Sequence, residues 1–305
     1  MDQLAAMRAF VRVVESGSFT RAADILALPK ATLSKQIQQL ETHLSTRLLH
    51  RTTRQVTVTP DGAAYYERAL AILTDVDELD GSLSTNLTCP RGRLRIDISP
   101  SLATGILMPA LPDFFARYPE IHIDIGCTDR PVDLVGENVD CVIRVGEIRN
   151  PSLIARRIGE LNFAAAAAPS YIARHGEIQH PKDFEKDHVM VRYFSATTSH
   201  YYAFDFIRGA EEIEVLGRYS VALNDGNAYI SAGLAGLGVI LCPIFMMQEH
   251  LDAGTLVRVL PEWHTQPMPI HVVYPPSRHI SNRLRVFVDW VAELFARSTR
   301  ARAAT

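Results

Sequence analysis

Three helix-spaced patterns open the chain and predict a small helical head. Apolar residues recur every three or four positions over residues 4–14, and Gly17 then stands where a helix would end. A second short helix is predicted over residues 21–26. The third begins at Pro29, which costs a helix nothing at its first position, and carries apolar residues on one face as far as residue 44. Two short helices and a turn before a third are typical of a helix-turn-helix.

The outward face of the third helix carries side chains that read base edges. Glutamine can pair with adenine, lysine with guanine, and a threonine methyl can contact thymine in the major groove. Lysine and glutamine are also good formers of solvated helices, so the face alone leaves both interpretations open. An alternating run at residues 55–59 then predicts a two-stranded wing, with arginines beside it for phosphates. The predicted DNA-binding residues are Lys30, Ala31, Thr32, Ser34, Lys35, Gln38, Arg51 and Arg54.

The charge along the chain changes how this head is interpreted. The whole chain carries a formal charge of -3, but residues 1–60 hold 8 Lys and Arg against 4 Asp and Glu, a local excess of +4. Residues 61–90 hold 1 against 6, a local charge of -5. A basic segment of this kind is the electrostatic footprint of nucleic-acid binding, although a solvated basic face would look the same by charge alone.

The segment after the head predicts a long helix with an apolar seam. Its apolar positions follow steps of four and three residues, a mean of 3.5, which is the period of a coiled coil. We interpret it as a dimerising helix; the alternative is an amphipathic helix that packs on the second domain of its own chain. A loop-rich hinge is predicted from Gly81 to Gly92. The seam residues are Tyr65, Ala69, Ile72, Val76, Leu79 and Leu83.

The remaining two thirds of the chain alternate between strand and helix patterns and predict an open α/β sheet. Strand-like alternation at residues 93–99 and 121–126, with a helical stretch between them, indicates a parallel pair. Further elements are predicted as a short helix at 132–137, a strand at 141–145, an extended run at 153–168, strands at 215–223, 239–241 and 269–274, and helices at 228–235, 244–251 and 281–295.

Polar residues at the predicted strand ends indicate a ligand site. In open α/β sheets the ligand lies beyond the carboxyl ends of the strands. Helix N-termini at that edge favour anions, so hydroxyls there predict an anionic effector. Each residue could instead be an ordinary cap or turn, and Arg144 could pair with a carboxylate for structure alone. The predicted effector-binding residues are Ser99, Ser101, Thr128, Asp129, Arg144, Tyr193, Ser195, Asn224 and Asp225.

Several motifs resemble LysR-type transcriptional regulators along nearly the whole chain. In the head they are Ser-Phe-Thr-Arg-Ala-Ala at residues 18–23, Leu-Ser-Lys-Gln-Ile at 33–37, and the run from 48–54 to Thr-Pro-Asp-Gly at 59–62. In the body, Ile-Arg-Val-Gly at 143–146 and residues 153–157 match the effector-binding domain. The head departs from the family at Pro29, where Ser is common, and at Leu49, where Phe is common.

The resemblance implies a winged helix-turn-helix, a linker helix, and a two-lobed α/β effector domain similar to type 2 periplasmic binding proteins. It implies double-stranded DNA, a small-molecule effector, and a homodimer or homotetramer formed through the linker helix. The expected domains are 1–60 for DNA binding, 61–90 for linker and hinge, and 91–305 for the effector. Within the last, lobe I spans about 91–168 and 268–300, and lobe II about 169–267.

Other classes of function find little support in the sequence. Apolar residues make up 47% and charged residues 21%, as in ordinary globular proteins. The four cysteines form no C-x-x-C pair and the histidines no H-E-x-x-H, so we expect no metal and no cofactor. The absence of a signal-peptide pattern predicts a cytoplasmic protein without a membrane partner. The alternative is a solute-binding or enzymatic α/β protein whose head serves only assembly, although no catalytic motif accompanies it.

Overall fold

The computed structural model describes residues 1–51, 56–83, 90–148, 150–276 and 280–302. The chain divides into two compact units, residues 1–89 and 90–305.

The first unit is a helical head with a small β-hairpin. Its first two helices begin at side chains that cap them, since Asp2 accepts a hydrogen bond from the Ala5 amide at 3.0 Å and Ser18 accepts one from the Arg21 amide at 3.4 Å. The first helix ends at Gly17, whose φ of 63° is left-handed. The elements are α1 (Gln3–Ser16), α2 (Phe19–Ile25), α3 (Lys30–Leu44), β1 (Leu49–Arg51), β2 (Val56–Val58) and α4 (Pro60–Leu83).

The core of the head joins all four helices. Phe10 of α1 and Leu33, Ile37 and Leu40 of α3 are fully buried, as the helical spacing predicts. The long helix α4 takes part as well, because its Ala69 and Leu73 are buried in the same cluster.

Buried polar contacts attach the hairpin to α3 and α4. A carboxylate oxygen of Glu41 accepts hydrogen bonds from the amides of Leu48 and Leu49, at 3.0 and 3.1 Å. Thr59 accepts a bond from the Gly62 amide at 2.9 Å and donates one to the Arg47 carbonyl at 2.8 Å. The start of α4 is thereby fastened to the segment that enters β1.

Lobe I of the second unit is built on a five-stranded sheet in the order β4-β3-β5-β14-β6. Strands β3, β4 and β5 are parallel, whereas β14 runs antiparallel between β5 and β6. Its elements are β3 (Gly92–Ile98), α5 (Pro100–Leu102), a π-helical segment (Ala103–Leu107), α6 (Met108–Arg117), β4 (Ile121–Cys127), β5 (Cys141–Val145), β6 (Ile154–Leu161), β14 (Met268–Tyr274) and α10 (Asn282–Arg302).

Lobe II is inserted between β6 and β14 and contains smaller sheets. Strand β7 lies between β12 and β13, β8 pairs in parallel with β11, and β9 with β10 forms a hairpin. Its elements are β7 (Phe163–Ala167), α7 (Pro169–His175), a 3-10 turn (Pro181–Glu185), β8 (Val189–Tyr193), β9 (Phe204–Arg208), β10 (Glu211–Val215), β11 (Arg218–Leu223), α8 (Gly226–Leu234), β12 (Ile240–Pro243), α9 (Ile244–Asp252) and β13 (Val257–Arg258).

Several predicted elements of the body differ from the structure. The extended run expected to belong to lobe I up to about residue 168 divides at Asn162, because β7 pairs with the lobe II strands β12 and β13. The predicted strand 215–223 is two strands separated at Gly217, whose φ is 61°. The short helix expected at 132–137 is a turn, since Asp133 accepts hydrogen bonds from the Val135 and Gly136 amides.

The seam predicted a helix as far as Leu83, and α4 ends at that residue. The hinge predicted from Gly81 therefore overlaps the last turn of α4, and residues 84–89 lie outside the described part of the chain. The end of another predicted helix differs. The helix predicted to end at residue 295 continues to Arg302 as α10.

Candidate DNA-binding surface and effector cleft

Helix α3 presents the predicted recognition residues on its outer side. Lys30, Ala31, Thr32, Lys35 and Gln38 are exposed, and Ser34 is half-buried. The buried face of the same helix packs into the core of the head, so the two faces are cleanly divided. A helix held by one face leaves the other accessible to a groove of DNA.

The two departures from the family pattern have simple structural outcomes. Pro29 occupies the N-cap of α3 without a side-chain hydrogen bond, so this helix begins without the cap that a Ser would supply. Leu49 is buried in the head and fills an apolar position. Arg51 belongs to β1, but its side chain and all of Arg54 lie outside the described residues.

The predicted dimer seam is only partly free on the surface of the head. Tyr65 packs edge-on against Phe10 with ring centroids 5.6 Å apart, and Ala69 is buried. By contrast, Ile72 is 45% exposed, and Val76 is half-buried. The side chains of Leu79 and Leu83 lie outside the described set. The N-terminal part of the seam therefore serves the core of its own chain.

In the second unit, a cavity of about 590 Å³ lies between lobe I and lobe II; we call this candidate site the effector cleft. Strand ends from lobe I meet loops from lobe II there, as the position of ligands in open α/β sheets requires. The predicted residues that line it are Ser99, Ser101, Asp129, Arg144, Tyr193, Ser195 and Asn224.

Thr128 and Asp225 do not line the effector cleft and have local structural contacts. The Thr128 hydroxyl accepts a hydrogen bond from the Arg130 amide at 3.1 Å. The Asp225 carboxylate caps α8 by accepting a bond from the Ala228 amide at 2.8 Å. These are the turn and cap roles that the sequence left open as alternatives.

Arg144 is paired inside its own lobe. One terminal nitrogen of its guanidinium lies 2.5 Å from the Asp97 carboxylate and 3.2 Å from the Arg130 carbonyl oxygen. Strands β3 and β5 are neighbours, which explains how residues far apart in sequence form this pair. Burial raises the pKa of Asp97, while the Arg144 hydrogen bond opposes that shift.

Asp129 joins the two lobes across the effector cleft. The Tyr193 hydroxyl lies 3.3 Å from an Asp129 carboxylate oxygen and 3.1 Å from the Asn224 carbonyl oxygen. Burial raises the pKa of Asp129, and hydrogen bonds from Ser99 and Tyr193 oppose the shift. Burial also raises the pKa of Tyr193, and the nearby Asp129 charge adds to that rise.

Aromatic side chains form walls of the effector cleft that were not among the predicted residues. Phe163 comes from β7, Phe194 follows β8, and Tyr202 and Phe204 come from the segment that enters β9. The edge-on ring of Tyr229, with its centroid 5.5 Å from that of Tyr193, continues the wall. The dense aromatic run Tyr-Tyr-Ala-Phe-Asp-Phe at 201–206 was the signal available in the sequence.

Comparison with known proteins identifies the class to which this architecture belongs. The family model described as "Bacterial regulatory helix-turn-helix protein, lysR family" matches residues 4–63, and the "LysR substrate binding domain" model matches residues 89–296. The chain belongs to the LysR family of transcriptional regulators.

Individual relatives match over almost their whole length. The chain is 41% identical over 294 residues to the uncharacterized HTH-type transcriptional regulator YhjC of Escherichia coli K12, covering 96% of this chain and 97% of the relative. It is 40% identical over 296 residues to an HTH-type transcriptional repressor of Pseudomonas aeruginosa, covering 97% and 93%.

Solved structures match over almost the whole chain as well. The full-length Vibrio cholerae virulence activator AphB matches with a TM-score of 0.57 and 30% identity, over 94% of this chain and 98% of that one. CrgA of Neisseria meningitidis matches with a TM-score of 0.61 and 29% identity, over 95% and 98%. Within the described ranges, no helix is long and apolar enough to cross a membrane, and no cluster of three or more His, Cys, Asp or Glu could hold a metal ion.

Proposed function

We propose that this regulator reads operator DNA through the exposed face of α3 and through Arg51 and Arg54 of the wing. The observation that carries the proposal is the division of α3 into a buried apolar face and an exposed face with Thr32, Lys35 and Gln38. The excess of positive charge in residues 1–60 supports attraction to the phosphate backbone. The names of the relatives support a regulator over a solute-binding protein or an enzyme.

The test compares Lys35→Ala with Lys182→Ala. Lys182 is an exposed lysine of lobe II, so its substitution removes the same charge at a position far from α3 along the chain. The DNA probes are a site selected from a random pool by the wild-type protein and a scrambled duplex. Lys35→Ala should lose about 1 to 3 kcal/mol of discrimination between them, because a base-edge contact is removed. Lys182→Ala should keep the wild-type preference. Equal discrimination in both variants would contradict the assignment.

We infer that two chains associate through the C-terminal part of the α4 seam, Ile72, Val76, Leu79 and Leu83. An exposed isoleucine on a long helix is an apolar surface that a partner helix can cover. Two heads held at a fixed spacing would then read two half-sites, which is how dimeric helix-turn-helix proteins obtain specificity.

We propose further that a small molecule binds in the effector cleft and changes how the heads are presented to DNA. Ser99, Ser101 and Asp129 of lobe I face Tyr193, Ser195 and Asn224 of lobe II, so a bound molecule would contact both lobes. Binding must stabilise one state of the protein more than another for control to follow. The negative charge that the sequence predicted for the effector is not retained in this proposal, because Arg144 is already paired with Asp97.

A further inference from the structure

The charges that line the effector cleft are unequal in sign. Among the described lining residues, Arg144 is the one cation, whereas Asp129, Glu147 and Asp205 are acidic. The guanidinium of Arg144 is held by Asp97 and by two backbone carbonyls, those of Ile143 and Arg130. An anionic ligand would therefore find the charge of Arg144 already neutralised by Asp97, and it would also face the acidic lining residues.

The Asp129 carboxylate has capacity for a further hydrogen-bond donor. A carboxylate accepts about four hydrogen bonds and donates none. The Tyr193 hydroxyl has one proton, and it lies closer to the Asn224 carbonyl, at 3.1 Å, than to Asp129, at 3.3 Å. The Ser99 hydroxyl, which also hydrogen-bonds to Asp129, likewise has one proton. These two hydroxyls therefore donate at most two hydrogen bonds to a carboxylate that accepts about four, and the Tyr193 proton is shared with Asn224.

The rest of the wall is apolar and aromatic. Phe163, Tyr202 and Phe204 line the effector cleft beside the Tyr193 ring, and Met246 and Met268 complete the apolar part. Aromatic and thioether groups pack well on a flat apolar ring. An aromatic face near a carboxylate also favours a positively charged group over a negatively charged one.

We propose that the effector is a small molecule with an apolar ring and a hydrogen-bond-donating group that carries no negative charge, and that this group binds Asp129. The proposal rests on the effector cleft of the proposed function and specifies the chemistry of its ligand. An amine or a hydroxyl donates a further hydrogen bond to Asp129, while the ring packs on the aromatic wall. A carboxylate at the same position would face a second carboxylate.

Three probes with one ring and different head groups test this. Benzylamine is cationic, benzyl alcohol is neutral and benzoate is anionic at pH 7. Calorimetric titration of each into the full chain should give affinities for benzylamine and benzyl alcohol at least about tenfold above that for benzoate, equivalent to about 1.4 kcal/mol. Benzoate binding as tightly as either of the others would overturn the proposal.

Asp129→Asn localises the effect, since the amide keeps the shape of the side chain and removes its charge. The variant should lose about tenfold in benzylamine affinity and should bind benzoate no more weakly than the wild type does. Asp187→Asn is the matched control, because it removes the same charge at an exposed position that does not line the effector cleft; it should change each affinity less than about threefold. Unchanged selectivity in Asp129→Asn would also overturn the proposal.

The outcome is separable from that of the proposed function. Preferential benzoate binding would leave the effector cleft in place and overturn only its ligand chemistry. If none of the three probes binds, the cleft does not accept such a ring and the inference fails, while DNA recognition is judged independently by the Lys35 and Lys182 variants.

Discussion

Gly62 sets the closeness of α4 to the entry of the wing, and Gly62→Ala is the most direct test of that packing. A Cβ added to Gly62 would lie 2.1 Å from the Leu48 carbonyl oxygen and 2.9 Å from its carbonyl carbon. Ordinary contact begins at 3.4 Å, so the shortfall to the oxygen is 3.4 minus 2.1, or 1.3 Å. The neighbour is backbone, which cannot rotate away as a side-chain end can.

The magnitude follows from opposing effects. Alanine is favoured over glycine inside a helix by about 1 kcal/mol. Two costs oppose this gain: overpacking costs about 1 to 3 kcal/mol, and strain on the hydrogen bond that the Leu48 carbonyl accepts from the Thr59 amide costs about 1 kcal/mol. The clash exceeds the gain in propensity, and we expect Gly62→Ala to destabilise the head by about 2 kcal/mol.

Hydrogen exchange measured by mass spectrometry is the suitable assay, because both tryptophans of the chain lie in the second unit and would not report on the head. Amides of α1 and α3 should exchange from a globally opened head about 30-fold faster in Gly62→Ala, as about 2 kcal/mol requires. Ala64→Gly, at an exposed position of the same helix, should accelerate exchange only by about fivefold through lost propensity. Protection in Gly62→Ala equal to or above the wild type would refute the close approach.

Two further predictions concern association and pH. Ile72→Asp should lower the solution mass measured by light scattering, because a carboxylate in an apolar contact costs several kcal/mol. Ala63→Asp, at an exposed position of the same helix, should leave the mass unchanged. An unchanged mass in Ile72→Asp would exclude this part of the seam from the dimer interface. The hydrogen bond from the Trp290 indole, at 2.9 Å, lowers the pKa of Asp113. The ionised Asp113 carboxylate therefore stabilises the fold above the ordinary carboxyl pKa, and this stabilisation is lost as the pH falls through the lowered pKa. Asp113→Asn should be less stable than the wild type in urea near neutral pH and equally stable in strong acid. A difference in stability that stays constant with pH would contradict this.

The head was the most predictable part of the chain, because its signals are local. The spacing that buries Leu33 and Ile37 is visible within one helix, and Gly17 marks the end of another. The seam of α4 shows what a local pattern cannot predict. A period of 3.5 indicates that a helix face is covered, but the pattern does not say by what, and the core of the head covers Ala69.

The lobe I lining of the effector cleft could be predicted from the sequence, whereas the pairing of the side chains within it could not. Ser99 and Asp129 follow strands, and the rule for open sheets places strand ends at one edge. The pairing of Arg144 with Asp97 depends on which strands become neighbours and on their register, and the pattern of apolar residues specifies neither the strand order nor the register. For the same reason the sequence could not show that β7 belongs to lobe II, since an extended segment has the same pattern whichever lobe it joins.

The position of β14 has a consequence for the order in which the protein can fold during synthesis. This strand lies in the interior of the lobe I sheet, between β5 and β6, yet it is made only at residues 268–274. A ribosome finishes every strand of lobe II before it reaches that segment. Lobe II can thus assemble before β14 pairs with β5 and β6. Until then, the edges of β5 and β6 that β14 will cover remain unpaired, and unpaired strand edges favour aggregation.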